Sequence, residues 1–149
     1  MATDSAGRST PRATPRASGI VLSDRQRIAW LRLIRSDNVG PATFRDLINH
    51  CGTAENALAA LPELSARGGA RRAMRITSVE EAEREMALVQ KSGARLVGIG
   101  EPDYPPALRQ IDGAPPLLTI KGDSETAVRP STGIVGAAMP RSSAPSWPP

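Results

Sequence analysis

The sequence predicts a mixed helical and α/β class: a small helical unit followed by the incomplete start of a parallel sheet domain. Three observations carry this expectation. Residues 23–67 place apolar side chains at helical spacing, punctuated by capping residues and Gly or Pro turns. Residues 78–93 form one further amphipathic stretch with its own start and stop signals, running directly into an apolar segment. Finally, Arg95–Ile99 and Leu117–Lys121 are short apolar runs bounded by Gly and Pro, the signature of strands, and Gly133-Ile134-Val135-Gly136 is a third.

The length of 149 residues leaves room for one ordinary domain, or a small domain plus part of another. Hydrophobic residues make up 40% of the chain but aromatics only 3%, so a core must rest on Leu, Ile, Val and Ala. The formal charge of +4 comes mainly from arginine and favours an anionic partner, nucleic acid first. A single cysteine, Cys51, excludes an internal disulfide and a multi-cysteine metal site. No apolar run approaches the roughly 18 residues of a membrane span. No apolar segment follows the N-terminal arginines, so a cytoplasmic location is expected.

Residues 1–19 are Ser, Thr, Ala, Pro and Arg, too polar and proline-broken to bury a core, and read as a disordered basic tail. Such a tail can touch phosphates or be a dispensable extension. The helical unit spans residues 20–77. Ser23 caps a first helix to Ser36, with Ile28, Leu31, Ile34 and Trp30 on its apolar face. Arg25, Arg27, Arg32 and Arg35 fall elsewhere, as a solvated face or a DNA-facing one. Asn38-Val39-Gly40-Pro41 is a turn, with Pro41 suited to the first position of a second helix that buries Phe44, Leu47 and Ile48. Gly52 ends that helix. Thr53 caps a third, with Ala57, Leu58 and Leu61 inward, and Pro62 opens a separate short turn over Glu63–Arg67. Gly68-Gly69-Ala70-Arg71-Arg72 is a basic joint.

This helix–Val-Gly–helix pattern resembles a helix-hairpin-helix or SAM-like unit, whose glycine turn lets backbone N–H groups approach a phosphate. The same pattern also occurs in plain helical bundles.

The second segment, residues 78–136, opens on a capping box, Ser78 with Glu81. Its helix carries Ala82, Met86 and Val89 in line with Leu88 beside them, and Gly93 ends it. The acidic residues at its start read as solvation favoured by the helix dipole. Tyr104 to Ile111 is expected to be a loop with one helical turn, Tyr104 and Leu108 pinning it to the sheet. Gly133–Gly136 reads as a strand entering a glycine turn of the kind that cradles phosphate in Rossmann-like sites.

The spaced set Tyr104-Pro105-Pro106-Ala107-Leu108, Ile111, Ala114-Pro115-Pro116-Leu117-Leu118, Lys121-Gly122 and Ile134-Val135-Gly136 resembles the DNA-processing protein A family, also called DprA or Smf. The resemblance covers roughly residues 22–136. It implies a helical domain ahead of a Rossmann-like sheet domain, single-stranded DNA as partner, protection of incoming DNA during natural transformation, and delivery of strands to the RecA recombinase. It implies no enzyme activity, no cofactor and no metal. The family continues Ile-Val-Gly-x-Arg-x-x-Ser, whereas Ala137 and Ala138 follow Gly136 here, and four prolines bar a helix over residues 139–149. Residues 137–149 are therefore read as an aberrant tail after a slip of reading frame at Ala137. The chain is expected to be truncated, with the family's homodimer lost and one apolar sheet face uncovered.

Gly40, Arg45, Arg71, Arg72 and Gly136 are the candidate DNA-binding residues. His50 and Cys51, adjacent on a helix, point about 100° apart and do not form a nucleophile–base pair. No P-loop, GxGxxG, HExxH or serine-nucleophile turn is present. Two readings of other classes stand beside the first: a helical protein-interaction module, and a fragment of a Rossmann-like enzyme binding a nucleotide phosphate.

Overall fold

The computed structural model describes residues 19–68, 74–129 and 132. In chain order these form α1 (Asp24–Arg35), α2 (Pro41–Cys51), α3 (Ala54–Arg67), α4 (Val79–Lys91), β1 (Ala94–Gly98), α5 (Pro106–Arg109) and β2 (Leu117–Lys121), then a 3-10 turn over Ser124–Val128.

The helix boundaries follow local chemistry. Ser23 Oγ accepts the Gln26 amide while the Gln26 side chain accepts the Ser23 amide at 2.9 Å, a reciprocal cap. Thr53 caps α3 through the Asn56 amide at 3.2 Å. Ser78 and Glu81 form the expected capping box on α4. Gly52 and Gly93, at φ 81° and 74°, take left-handed positions just past α2 and α4 that a side chain disfavours.

Two cores flank α1. Ala29 and Leu33 join Val39, Phe44, Leu47, Ala57, Leu58 and Leu61 in a helical core, with Trp30 and Ile34 packed against it. Leu31 joins Ala82 of α4 and Leu96 of β1 in a second core, flanked by Ile28, Met86, Val89 and Leu117. The single stripe expected on the first helix is thus divided between two faces. Leu31 and Leu33 are two residues apart, about 200° around the helix, so both can be buried only if α1 is covered on opposite sides.

Two further expectations change. Pro62 does not open a new turn: α3 runs through it to Arg67. The ring removes one helical hydrogen bond, but Leu61 is buried before it and Leu64 packs on the helical core after it, and this packing carries the helix across. Leu88, expected beside the apolar line of Ala82, Met86 and Val89, faces solvent and is 67% exposed.

The mixed class of a helical unit followed by a sheet segment is the one observed, but the two described strands run antiparallel. The register pairs Ala94 with Lys121 and Gly98 with Leu117. Parallel pairing needs a crossover that returns the chain to the same end of the sheet. Here the connection from Gly98 to Leu117 contains only the four-residue α5, so β2 starts where β1 stops and runs back.

The expected single turn in that connection is present, and Tyr104 is fully buried beside it, its hydroxyl donating to the Pro115 carbonyl at 2.8 Å. The Gly133–Gly136 run, the basic N-terminal tail and the tail after Ala137 lie outside the described residues.

Buried Glu101 ties these parts together. It accepts the Leu22 amide at 3.0 Å, the Gly98 amide at 2.6 Å and the Arg27 guanidinium. Arg109, stacked over the Tyr104 ring at 5.8 Å, donates to the Glu101 carbonyl at 2.6 Å. A Cβ at Gly98 would lie 2.5 Å from Leu22 Cδ1, so any larger residue there would push the buried Leu22 side chain aside.

Candidate nucleic-acid interface

The turn between α1 and α2 is held from below. Ser36 is buried; its hydroxyl donates to the Arg32 carbonyl at 2.8 Å and accepts the Thr77 amide at 3.2 Å. Asp37 and Arg75 exchange two bonds: the Asp37 amide donates to the Arg75 carbonyl at 3.0 Å, and the Arg75 amide donates to Asp37 Oδ2 at 3.1 Å. Asn38 takes the left-handed position at φ 60°, which its short polar side chain tolerates, and Val39 drops into the helical core. The chain from residue 74 to 77 is therefore the floor on which the turn rests.

Gly40 caps α2 in an extended conformation, φ −86° and ψ 179°, open to any residue. A Cβ there would meet nothing within 4 Å. What glycine does at this position is to leave the helix start bare. No side chain caps α2, and Pro41 contributes no N–H, so the Ala42 and Thr43 amides carry the positive end of the helix dipole without a side-chain acceptor. Arg45, one turn further on, is exposed. Gly40 and Arg45 are thus brought to one end of α2. Arg71, Arg72 and Gly136 lie outside the described residues.

Most other arginines are already engaged. Arg27 pairs with Glu101 in a largely buried position. Arg32 Nε donates to the Thr77 carbonyl at 2.9 Å. Arg35 grips Glu85 with two nitrogens, at 3.1 and 2.7 Å, and that contact raises its pKa above the usual arginine range. Arg75 pairs with Glu81 at 2.5 Å, and Arg95 reaches the Gly122 carbonyl at 3.1 Å and Asp103 at 3.4 Å. Of the four first-helix arginines, Arg25 and Arg35 are solvated, while Arg27, Arg32 and Arg35 fasten α1 to the chain that follows α3. Among the described residues, the side chains of Arg45, Lys91 and Lys121 have no hydrogen bond or ion pair.

Three surface clefts differ in charge. One of about 240 Å³ holds Arg27 and Arg95 but also Glu101 and Asp103. A second of about 460 Å³ holds Arg25 and Arg32 with Glu55 and Glu83. The third, about 270 Å³, lies between α2 and the loops of the sheet segment, and Arg45 is its only charged residue. Sequence periodicity marked Phe44 and Ile48 as core. It carried no sign that Ile99, Ala114 and Pro116 would face them across a groove. No group of three or more His, Cys, Asp or Glu side chains among the described residues is placed to hold a metal ion. No described helix is long and apolar enough to cross a membrane.

Comparison with known families places two matches along the chain. Residues 24–87 match the model of a DprA-like N-terminal HHH domain. Residues 95–147 match that of the DNA recombination-mediator protein A, a match that runs past Ala137 into the proline-rich tail. No curated protein matches the chain.

Proposed function

Since the chain belongs to the DNA recombination-mediator protein A family, we propose that it binds single-stranded DNA and passes the strand to the RecA recombinase. The bare start of α2 and the unpaired Arg45 receive phosphates. Arg71, Arg72 and Gly136, which lie outside the described residues, are the further DNA contacts of this proposal. No bond is made or broken. Affinity comes from neutralising phosphates and releasing their counterions.

The observation that best supports this reading is the contrast among the cations. Arg27, Arg32, Arg35, Arg75 and Arg95 are held by carboxylates or carbonyls, whereas Arg45 has no hydrogen bond or ion pair and lies one turn past a helix start whose amides lack a side-chain cap. Binding of a dye-labelled oligothymidylate, followed by anisotropy at low and moderate salt, tests it. Affinity should fall steeply with salt, with a log–log slope of about −0.7 per phosphate neutralised, and Arg45→Ala should make the slope shallower. Absence of binding at both salts would falsify the reading.

A further inference from the structure

We propose that the groove between α2 and the sheet loops receives one nucleobase of a bound strand, the adjoining phosphate lying at Arg45 and the start of α2. This rests on the single-stranded DNA reading above and assigns that site a base-holding part.

The groove's chemistry differs from that of the other two clefts. Trp30, Phe44 and Ile48 form one wall and Ile99, Ala114 and Pro116 the other. Trp30 is held edge-to-face by Phe44, with centroids 5.0 Å apart and planes at 65°, so its partly exposed indole is already positioned and loses little freedom on binding. Bases of single strands are splayed out onto such aromatic surfaces and are bonded along their edges by side chains such as asparagine. Asn49, exposed at the rim, provides an amide with both donor and acceptor.

Charge selects the occupant. The groove contains no carboxylate and one cation, whereas each of the other clefts contains two carboxylates that would repel a phosphate. Its volume of about 270 Å³ falls just below the range of about 300–1,000 Å³ that suits drug-sized ligands. That fits one flat ring system rather than a whole peptide segment. The groove takes one wall from the helical core and the other from the loops of the sheet segment, so it exists only while the helical unit and the sheet segment are packed together.

The test uses the full chain carrying Trp147→Phe, which leaves Trp30 as the sole tryptophan. Dye-labelled oligothymidylate is titrated while anisotropy and Trp30 emission are read together, and an abasic strand of equal length serves as a base-free polyanion. The expected result is Trp30 quenching that saturates in step with anisotropy for oligothymidylate. The abasic strand should bind without quenching, and about tenfold or more weakly, reflecting the lost stacking. An anisotropy rise with unchanged Trp30 emission overturns the groove assignment and leaves the DNA reading standing. If anisotropy does not rise even at low salt, both are overturned. Arg45→Glu, at an exposed side chain with no hydrogen bond or ion pair, should weaken both signals by about tenfold with an unchanged urea midpoint. If it weakens neither, the phosphate position is wrong.

Discussion

Arg27 of α1 and Glu101 of the loop after β1, 74 positions apart, form a buried ion pair that clasps the first helix to the sheet segment. The same carboxylate takes the amides of Leu22 and Gly98, so it closes three segments at once. Desolvating such a pair costs several kcal/mol per ion, and the extra amide bonds offset part of that cost.

Glu101→Ala should therefore be among the most damaging single changes available. It leaves the Arg27 guanidinium buried without its counterion and two amides without an acceptor, a loss of about 3–5 kcal/mol. Arg27→Met should cost less, because Glu101 keeps both amide donors. Urea unfolding of the two variants checks the order; a Glu101→Ala loss below that of Arg27→Met would contradict the clasp.

The two faces of α1 should be separable by mutation. Leu33→Ala and Leu31→Ala should each cost about 2–5 kcal/mol, but in different places. Hydrogen exchange should quicken over residues 44–61 for Leu33→Ala and over 94–98 and 117–121 for Leu31→Ala. In the parent chain the strands should already exchange faster than the helical core, since a two-stranded sheet is marginal by itself. Equal protection of both regions would count against this.

Acid should loosen the start of α4 before the rest. The Glu81 carboxylate accepts the Ser78 amide, and that bond holds its pKa below the ordinary glutamate value, with Arg75 acting in the same direction. A lowered folded pKa gives a contribution that is present above the unfolded value and lost as pH falls through the folded one. Protection of the Ser78 amide, taken relative to its intrinsic exchange rate at each pH, should fall as the pH drops through and below the ordinary glutamate range, and Glu81→Ala should abolish that pH dependence.

Tyr104 should act at the alkaline end. Burial raises its pKa, and Arg109 over the ring works against this. A raised folded pKa means stability that is complete below the unfolded value and lost as pH rises through the folded one. Tyr104→Phe should cost about 1 kcal/mol at neutral pH, for the lost bond to the Pro115 carbonyl, and should flatten the alkaline decline. A neutral-pH midpoint equal to that of the parent would show the hydroxyl to be idle.

Local chemistry was the legible part. Ser23, Thr53, Ser78, Gly52 and Gly93 mark helix ends because a cap or a left-handed glycine needs only neighbouring residues. Ala57, Leu58 and Leu61 were readable because one face of α3 is buried in one core. What escaped depends on partners distant in sequence. Arg27 looked like any surface arginine until Glu101 was brought to it. Ala29 and Leu33 were overlooked because a helix buried on two sides has no single stripe. Strand direction was misread because the Gly98–Leu117 connection is long enough for a crossover but holds only one helical turn. Gly40 and Arg45 could be picked from the chain; the groove beside them could not, since half its wall belongs to the sheet loops.

The double burial of α1 bears on how this polypeptide can be dissected. A fragment ended between α3 and α4 would keep the first helix intact yet turn Ile28 and Leu31 outward as a greasy seam. The complementary piece, begun at α4, would show Ala82, Met86 and Leu96 bare. Neither portion would behave well alone, and mixing the two should restore solubility that each lacks.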